Sequence, residues 1–284
     1  STVVEGPSYR PLGASMACFE NGDRVGTLSS GCIEADLAVH AEACLTESVS
    51  KSVRYGQGSP YFDIQLPCGG GLEVTLLPDP DKLVLKELCE AREARMPVTL
   101  NFGNDGEGLR LQPEGITGQT DDGFQVQFLP ETRFVIFGKG PEAESLTILV
   151  QATGYPNVLY SPDEETRLAA TAAGGEAYPL RQESFPDDFK VDQWSAIVLF
   201  FHDHEWEPPI LKAALETSAL YIGSQGSFRA RAARDEKLIA MGVSQPDLSR
   251  LKGPIGLVPS ARDARTLAVS VLAEVLDTPK SNAK

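Results

Sequence analysis

The feature that most constrains this chain lies beyond Pro130, where short apolar runs and helix-type segments follow one another in strict turn. The runs read FVIFG, NVLY, AIVLFF and LYIG, and none of them alternates apolar with polar residues. A strand that is apolar at every position is buried on both faces, and in such a sequence that means a parallel sheet with helices on either side. The expectation for residues 131–284 is a Rossmann-like, doubly wound parallel-sheet domain, with two more helices after LYIG.

Residues 1–130 read differently. Ala14 to Leu28 forms two short strands around Glu20-Asn21-Gly22-Asp23, a hairpin pattern. After Ser29-Ser30-Gly31, the positions Ile33, Leu37, Ala41, Cys44 and Leu45 repeat at helical spacing, with Glu34 and Asp36 in the first turn. Strands are expected around Val53 and Leu72 to Leu77, then a helix from about Asp81 to Arg95 with Leu85, Leu88 and Cys89 inward. Strands near Val98 to Phe102, Leu109 to Leu111 and Phe124 to Phe128 complete the unit. The fold class is thus α/β, an N-terminal α+β domain followed by the Rossmann-like one.

Charge narrows the partners. Against 25 Lys and Arg stand 40 Asp and Glu, a formal net charge of −15, which disfavours nucleic acid and anionic membranes. The longest purely apolar run, Ala196 to Phe201, is too short for membrane insertion. The opening STVVEGPSYRP lacks the basic and apolar regions of a signal peptide, so a cytoplasmic location is expected. Five cysteines with no C-x-x-C pair, all within the first third of the chain, argue against a disulfide scaffold or zinc ribbon.

Four constellations carry candidate chemistry. Gly138-Lys139-Gly140-Pro141-Glu142-Ala143 matches G-x-G-x-x-A between a strand and a helix, where glycines let backbone N–H groups approach a phosphate. The alternative is a mere tight turn, and Asp163 falls two residues late for a ribose. His202, Asp203 and His204 follow AIVLFF and would reach the mouth of the crevice, as hydrogen-bonding, proton-shuttling or metal-ligating groups. Third, Gly223, Gly226, Ser227 and Arg229 join a strand to a helix. Between Gly223 and Arg265, eight basic residues face four acidic ones, which suits an anion or a solvated basic helix face. Fourth are the thiols. Cys32 at a helix start and Cys68 before Gly69-Gly70-Gly71 are candidate functional thiols, whereas Cys18, Cys44 and Cys89 occupy apolar phases expected of small core residues.

Taken in order, GPSYRPLGASM, GTLSSGCIEADL, LPCGGGLEV, FGKGPEA, FFHDHEWE, YIGSQGSFRAR, PIGLV and AVSVLAEVL resemble the XdhC/CoxI family over nearly the whole chain. That family comprises maturation factors for molybdenum hydroxylases such as xanthine dehydrogenase and carbon monoxide dehydrogenase. The resemblance falls on Gly6, Arg10, Gly13, Ala14, Gly26, Ser30, Gly31, Cys32, Glu34, Cys68, Gly69 and Gly70, and in the second half on Gly138, Gly140, His202, Asp203, His204, Gly223, Gly226, Ser227, Pro254, Ile255, Gly256 and Glu274. It departs where the family carries an acidic residue followed by arginine at the end of the second Rossmann strand. Ser161, Pro162 and Asp163 stand there instead, which argues against ordinary dinucleotide recognition.

The resemblance implies binding of the molybdenum cofactor, a molybdopterin with or without an attached nucleotide, and support for its sulfuration and insertion. It implies an apo-hydroxylase as partner, a cysteine desulfurase as sulfur source, and a homodimer. In this reading an interdomain cleft holds the cofactor, with Ser227 and Arg229 at its phosphate and Cys32 and Cys68 at its metal end as sulfur relay or soft ligands. A nicotinamide- or flavin-dependent oxidoreductase is the alternative, and a metal-dependent hydrolase using His202, Asp203 and His204 comes third.

Overall fold

The computed structural model describes residues 1–8, 10–29, 31, 33–59, 66, 69–103, 108–186, 189–202 and 205–279. They divide into two compact units, Ser1–Pro130 and Glu131–Lys284.

The first unit runs β1 (Val3–Glu5), β2 (Met16–Cys18), β3 (Arg24–Gly26), α1 (Glu34–Glu47), β4 (Lys51–Gly56), β5 (Gly71–Leu76), α2 (Lys82–Glu93), β6 (Val98–Gly103), β7 (Leu109–Gln112), β8 (Gly118–Thr120) and β9 (Gly123–Phe128). Three antiparallel sheets result, in the orders β1-β5-β4, β2-β3 and β7-β6-β9-β8. Val53 and Tyr55 on β4 and Leu72 and Val74 on β5 alternate inward, and Ile33 and Leu37 close the same core. Helix α2 starts where Asp81 accepts a hydrogen bond from the N–H of Leu83 at 2.8 Å. Its apolar stripe is narrow: Leu88 is buried and Val84 and Leu85 half-buried, while Cys89, expected inward, is exposed because it lies one step round the helix from Leu88.

The second unit continues with β10 (Arg133–Gly138), α3 (Pro141–Ala152), β11 (Asn157–Ser161), α4 (Glu164–Ala172), β12 (Glu176–Pro179), β13 (Ser195–Phe200), α5 (Glu207–Leu215), β14 (Tyr221–Ser224), α6 (Phe228–Ala240), α7 (Gln245–Ser249), β15 (Leu251–Lys252) and α8 (Ala264–Asp277). Its six strands are all parallel, in the order β12-β11-β10-β13-β14-β15. Numbered within this unit that is 3-2-1-4-5-6, the Rossmann order. Every residue of β13 is buried. Phe134, Ile136, Ala196 and Val198 meet α3 and α8 on one face, and Val135, Phe137, Ile197 and Leu199 meet α5 and α6 on the other. Each Val, Ile, Leu or Phe among them contributes about 1.5–3 kcal/mol through burial. Three helices and the short β15 follow β14 where two helices were expected, and β12 escaped the sequence reading because Glu-Ala-Tyr-Pro is brief and largely exposed.

One ion pair is sealed beneath this sheet end. Glu207 on α5 and Arg234 on α6 are both almost wholly buried, with Arg234 Nε 3.1 Å from Glu207 Oε2. The Ser224 hydroxyl donates to Glu207 Oε1 at 2.5 Å, and Arg234 donates to the Gln225 carbonyl at 2.6 Å. Arg234→Ala should therefore lower the unfolding free energy by about 3–5 kcal/mol, since it strands a buried carboxylate. The paired replacement Glu207→Leu with Arg234→Leu should cost less than that single change, both read from urea midpoints.

Candidate functional site

The carboxyl ends of the adjacent strands β10, β13 and β14 carry Gly138 to Gly140, His202, and Gly223 to Ser227 respectively, so the fold gathers these residues along one sheet edge. Gly138 is there because of space: a Cβ on it would lie 2.5 Å from the Phe200 carbonyl oxygen. Gly140 is there because of its backbone, with φ at 82°, a region that L side chains rarely adopt.

The Gly138–Gly140 turn spends its donors internally. The Lys139 N–H donates to the Phe200 carbonyl at 3.2 Å, and the Gly140 N–H donates to the Thr166 hydroxyl oxygen at 2.9 Å. That hydroxyl in turn donates to Asp163 Oδ2 at 2.6 Å, and the Thr166 N–H reaches the same oxygen at 2.8 Å. Asp163 is thus the N-cap of α4, and these two bonds from Thr166 hold its carboxyl below the usual carboxylate range. At the start of α3, Glu142 Oε2 lies 3.4 Å from His202 Nε2, so a carboxylate already complements the helix dipole where a phosphate was expected.

The second turn is more open to an anion. Ser227 caps α6 by accepting from the Ala230 N–H at 3.2 Å. Arg229 in the first helical turn is exposed, with no ion-pair partner among the described residues. Gly223 leaves room for Tyr221, whose hydroxyl donates to Glu274 Oε2 at 2.8 Å; burial, then that carboxylate, push the phenol well above its ordinary pKa. The basic window is smaller than its count. Arg234 is paired with Glu207, Arg231 donates to the Gly253 carbonyl, and Arg250 donates to the carbonyls of Leu215, Thr217 and Ala219 beyond the end of α5. Arg229, Lys237, Lys252, Arg262 and Arg265 are the exposed cations of the window.

In the first unit the three motifs converge. Gly70 packs so closely on the first motif that a Cβ would lie 2.5 Å from the Pro7 carbonyl oxygen and 2.6 Å from that of Glu5. Leu28 and Ile33, which bracket Gly31, share a core with Leu66. Gly31 and Gly69 have φ of 103° and 71°, with no atom of the described residues within 4 Å of a would-be Cβ, and Arg10 is exposed. Cys32, Cys68, Asp203 and His204 lie outside the described residues, as does Ser30.

What shapes this second-motif loop is Glu34. Its Oε1 accepts from the Thr27 hydroxyl at 2.6 Å and the N–H groups of Leu28 and Ser29 at 2.9 and 2.8 Å. Oε2 takes the Ser29 hydroxyl at 3.0 Å and the Ile33 N–H at 3.2 Å. Burial raises the pKa of this carboxyl, but the hydrogen bonds outweigh it and hold the group far below the ordinary value of 4.5. The sequence matched Glu34 only by resemblance and offered no sign of this cage. For Glu207 the WEPP segment gave no signal at all.

The profile of the XdhC Rossmann domain matches residues 134–275, and that of the XdhC and CoxI family matches residues 1–56. The chain is 36% identical over 277 residues to the molybdenum cofactor insertion chaperone PaoD of Escherichia coli K12, covering 96% of this chain and 81% of that one. The chain belongs to the XdhC and CoxI family. A second relative, from Bacillus subtilis 168 and named as a probable component of xanthine dehydrogenase, is 25% identical over 314 residues, 98% of this chain and 91% of that one. A solved structure described as a xanthine dehydrogenase from Bacillus halodurans matches with a TM-score of 0.78 at 23% identity, over 99% of this chain and 91% of that one, a likeness of fold. Of the XdhC and CoxI motifs, those around Glu34 and Gly138 to Glu274 fall inside the matched stretches, and Cys68 to Gly70 falls between them.

Glu34→Ala leaves several buried or half-buried donors without their acceptor and should cost about 3 kcal/mol at neutral pH. Because the folded-state pKa is depressed, the stabilisation is complete above the ordinary carboxylate range and is lost as pH falls below it. Urea midpoints at about pH 7 and about pH 3.5 should accordingly drop further for wild type than for Glu34→Gln.

Proposed function

We propose that this chain is a maturation factor that binds the molybdenum cofactor, supports its sulfuration and inserts it into a molybdenum hydroxylase of the xanthine dehydrogenase or carbon monoxide dehydrogenase type. The observation that carries this reading is the 36% identity, over 96% of the chain, to a protein named for that insertion. The cofactor is cargo, so the work is binding and release, with no turnover required.

In this proposal Ser227 and Arg229 take the phosphate, with the backbone N–H groups that open α6 and a guanidinium beside them. A local cation matters in a chain of net charge −15, which otherwise repels an anionic cargo. Gly138, Gly140, Gly223 and Gly226 keep the crevice wall thin, and His202, Asp203 and His204 hydrogen-bond the cargo at its mouth. Cys32 and Cys68 serve the metal end as sulfur relay or soft ligands, on loops shaped by Gly31, Gly69, Gly70 and Arg10. The partners are the apo-hydroxylase, a cysteine desulfurase and a second copy of the chain, in the cytoplasm. Among the described residues no helix is long and apolar enough to cross a membrane.

Reconstitution with molybdenum cofactor tests this. Arg229→Ala should weaken binding about tenfold, the worth of one charge-assisted contact. Cys32→Ala should retain binding at the phosphate end yet lose activation of the apo-hydroxylase. Unchanged affinity and unchanged activation in both variants would remove the proposed site.

A further inference from the structure

The face of the second unit that carries Val135 and Phe137 is covered unevenly. Helices α5 and α6 cover β13 and β14, whereas over β11 and β12 the described residues between Leu180 and Trp194 form no helix and border a cleft of about 580 Å³. Its outer wall is fixed in place: the Leu180 N–H donates to the Ser161 carbonyl, Arg133 donates to the Lys190 carbonyl, and its guanidinium lies 4.6 Å from the Phe189 ring centroid.

An aromatic ladder crosses the floor. Phe137 on β10, Tyr160 on β11 and Tyr178 on β12 are register neighbours on parallel strands. Their rings stack at centroid distances of 5.3 and 5.8 Å, with interplanar angles of 18° and 29°. Exposure rises along it from 0% through 9% to 47%. The ladder therefore ends on a half-open tyrosine at the sheet edge. Glu176, two residues back on β12 and so on the same face about 6.6 Å away, also lines the cleft, and Arg181 stands just past the strand end. Both are exposed, and neither side chain has a hydrogen-bonding or ion-pair partner among the described residues.

We infer that this cleft binds a planar heteroaromatic ring of the 2-amino-4-oxopyrimidine type, the ring type of a pterin, stacked on Tyr178 with its paired N–H donors on the Glu176 carboxylate. A carboxylate presents two acceptors side by side and no donor, so it matches an edge with two adjacent N–H groups. Pterin and guanine have that edge, whereas adenine offers one donor beside one acceptor. Arg181 then meets an attached phosphate. The cleft is a second site, apart from the cargo site proposed above. Strands β12 and β14 lie four strand spacings apart, about 19 Å, so a ring held in this cleft and a phosphate held at the Ser227–Arg229 turn belong to separate ligand molecules.

The test is titration of the full chain with 6-carboxypterin, followed by its fluorescence, with GMP and AMP as competitors. Wild type should bind the pterin, and GMP should compete better than AMP. Tyr178→Ala should weaken pterin binding about tenfold or more, as loss of a stacking platform does, and Tyr178→Phe should restore it. Glu176→Gln should weaken pterin and GMP and abolish the preference over AMP. Absence of pterin binding to wild type, or equal affinity in Tyr178→Ala and Glu176→Gln, overturns the inference. So does a dimer that Tyr178→Ala dissolves without any pterin effect, since a second copy would then occupy the face. Failure of the two readings is separable: the pterin titration alone decides the cleft, and if wild type binds and delivers molybdenum cofactor the maturation role stands whatever that titration shows. If wild type neither binds nor delivers the cofactor, the role falls while the pterin titration still decides the cleft.

Discussion

The second unit depends on two neighbouring strands that offer water no face. With β10 and β13 apolar on both sides, helices must pack above and below, and polar chemistry is pushed off the sheet to the strand ends. Few polar side chains are allowed under those ends, and the Glu207–Arg234 pair occurs there with Ser224 and the Gln225 carbonyl as further partners. That arrangement fixes the junction between β14 and α6, and with it the direction in which Ser227 and Arg229 face outward.

Similar turns at the ends of β10 and β14 have taken opposite courses. At the first, donors are consumed by the protein itself and a carboxylate sits in the first helical turn. At the second, the helix start keeps an exposed guanidinium and lacks an acidic residue in its first turn. A glycine pattern shared by both does not distinguish them, because what matters is which side chains fill the space beside the backbone N–H groups. The unit that carries Glu34 solves a related problem by the opposite means. There a single buried carboxylate supplies the acceptors for the N–H groups of Leu28, Ser29 and Ile33 ahead of α1.

The strands of the Rossmann-like unit were legible because double burial leaves uninterrupted apolar runs, and α1 and α2 because their apolar positions recur every three or four residues. The hairpin of β2 and β3 announced itself through Asn21 and Gly22. Strand β12 did not, since an edge strand of four residues with one proline carries almost no apolar signal. Cys89 was misplaced because a narrow stripe and a broad one read alike in sequence, and the difference rests on how much of α2 its sheet covers. Arg231, Arg234 and Arg250 counted as free charge in the sequence, yet each is tied to a carboxylate or carbonyl distant in the chain. Long-range pairing of that kind leaves no local trace.

The bond from Gly140 to Thr166 links the turn before α3 to the first turn of α4, 26 residues further along the chain. Any visitor that claims the Gly140 amide has to evict the threonine hydroxyl, and the displaced side chain then loosens its grip on Asp163. The start of α4 would thus act as a tripwire for occupancy of a turn it does not itself line. Faster hydrogen exchange at the Thr166 amide would register an arrival on the neighbouring strand.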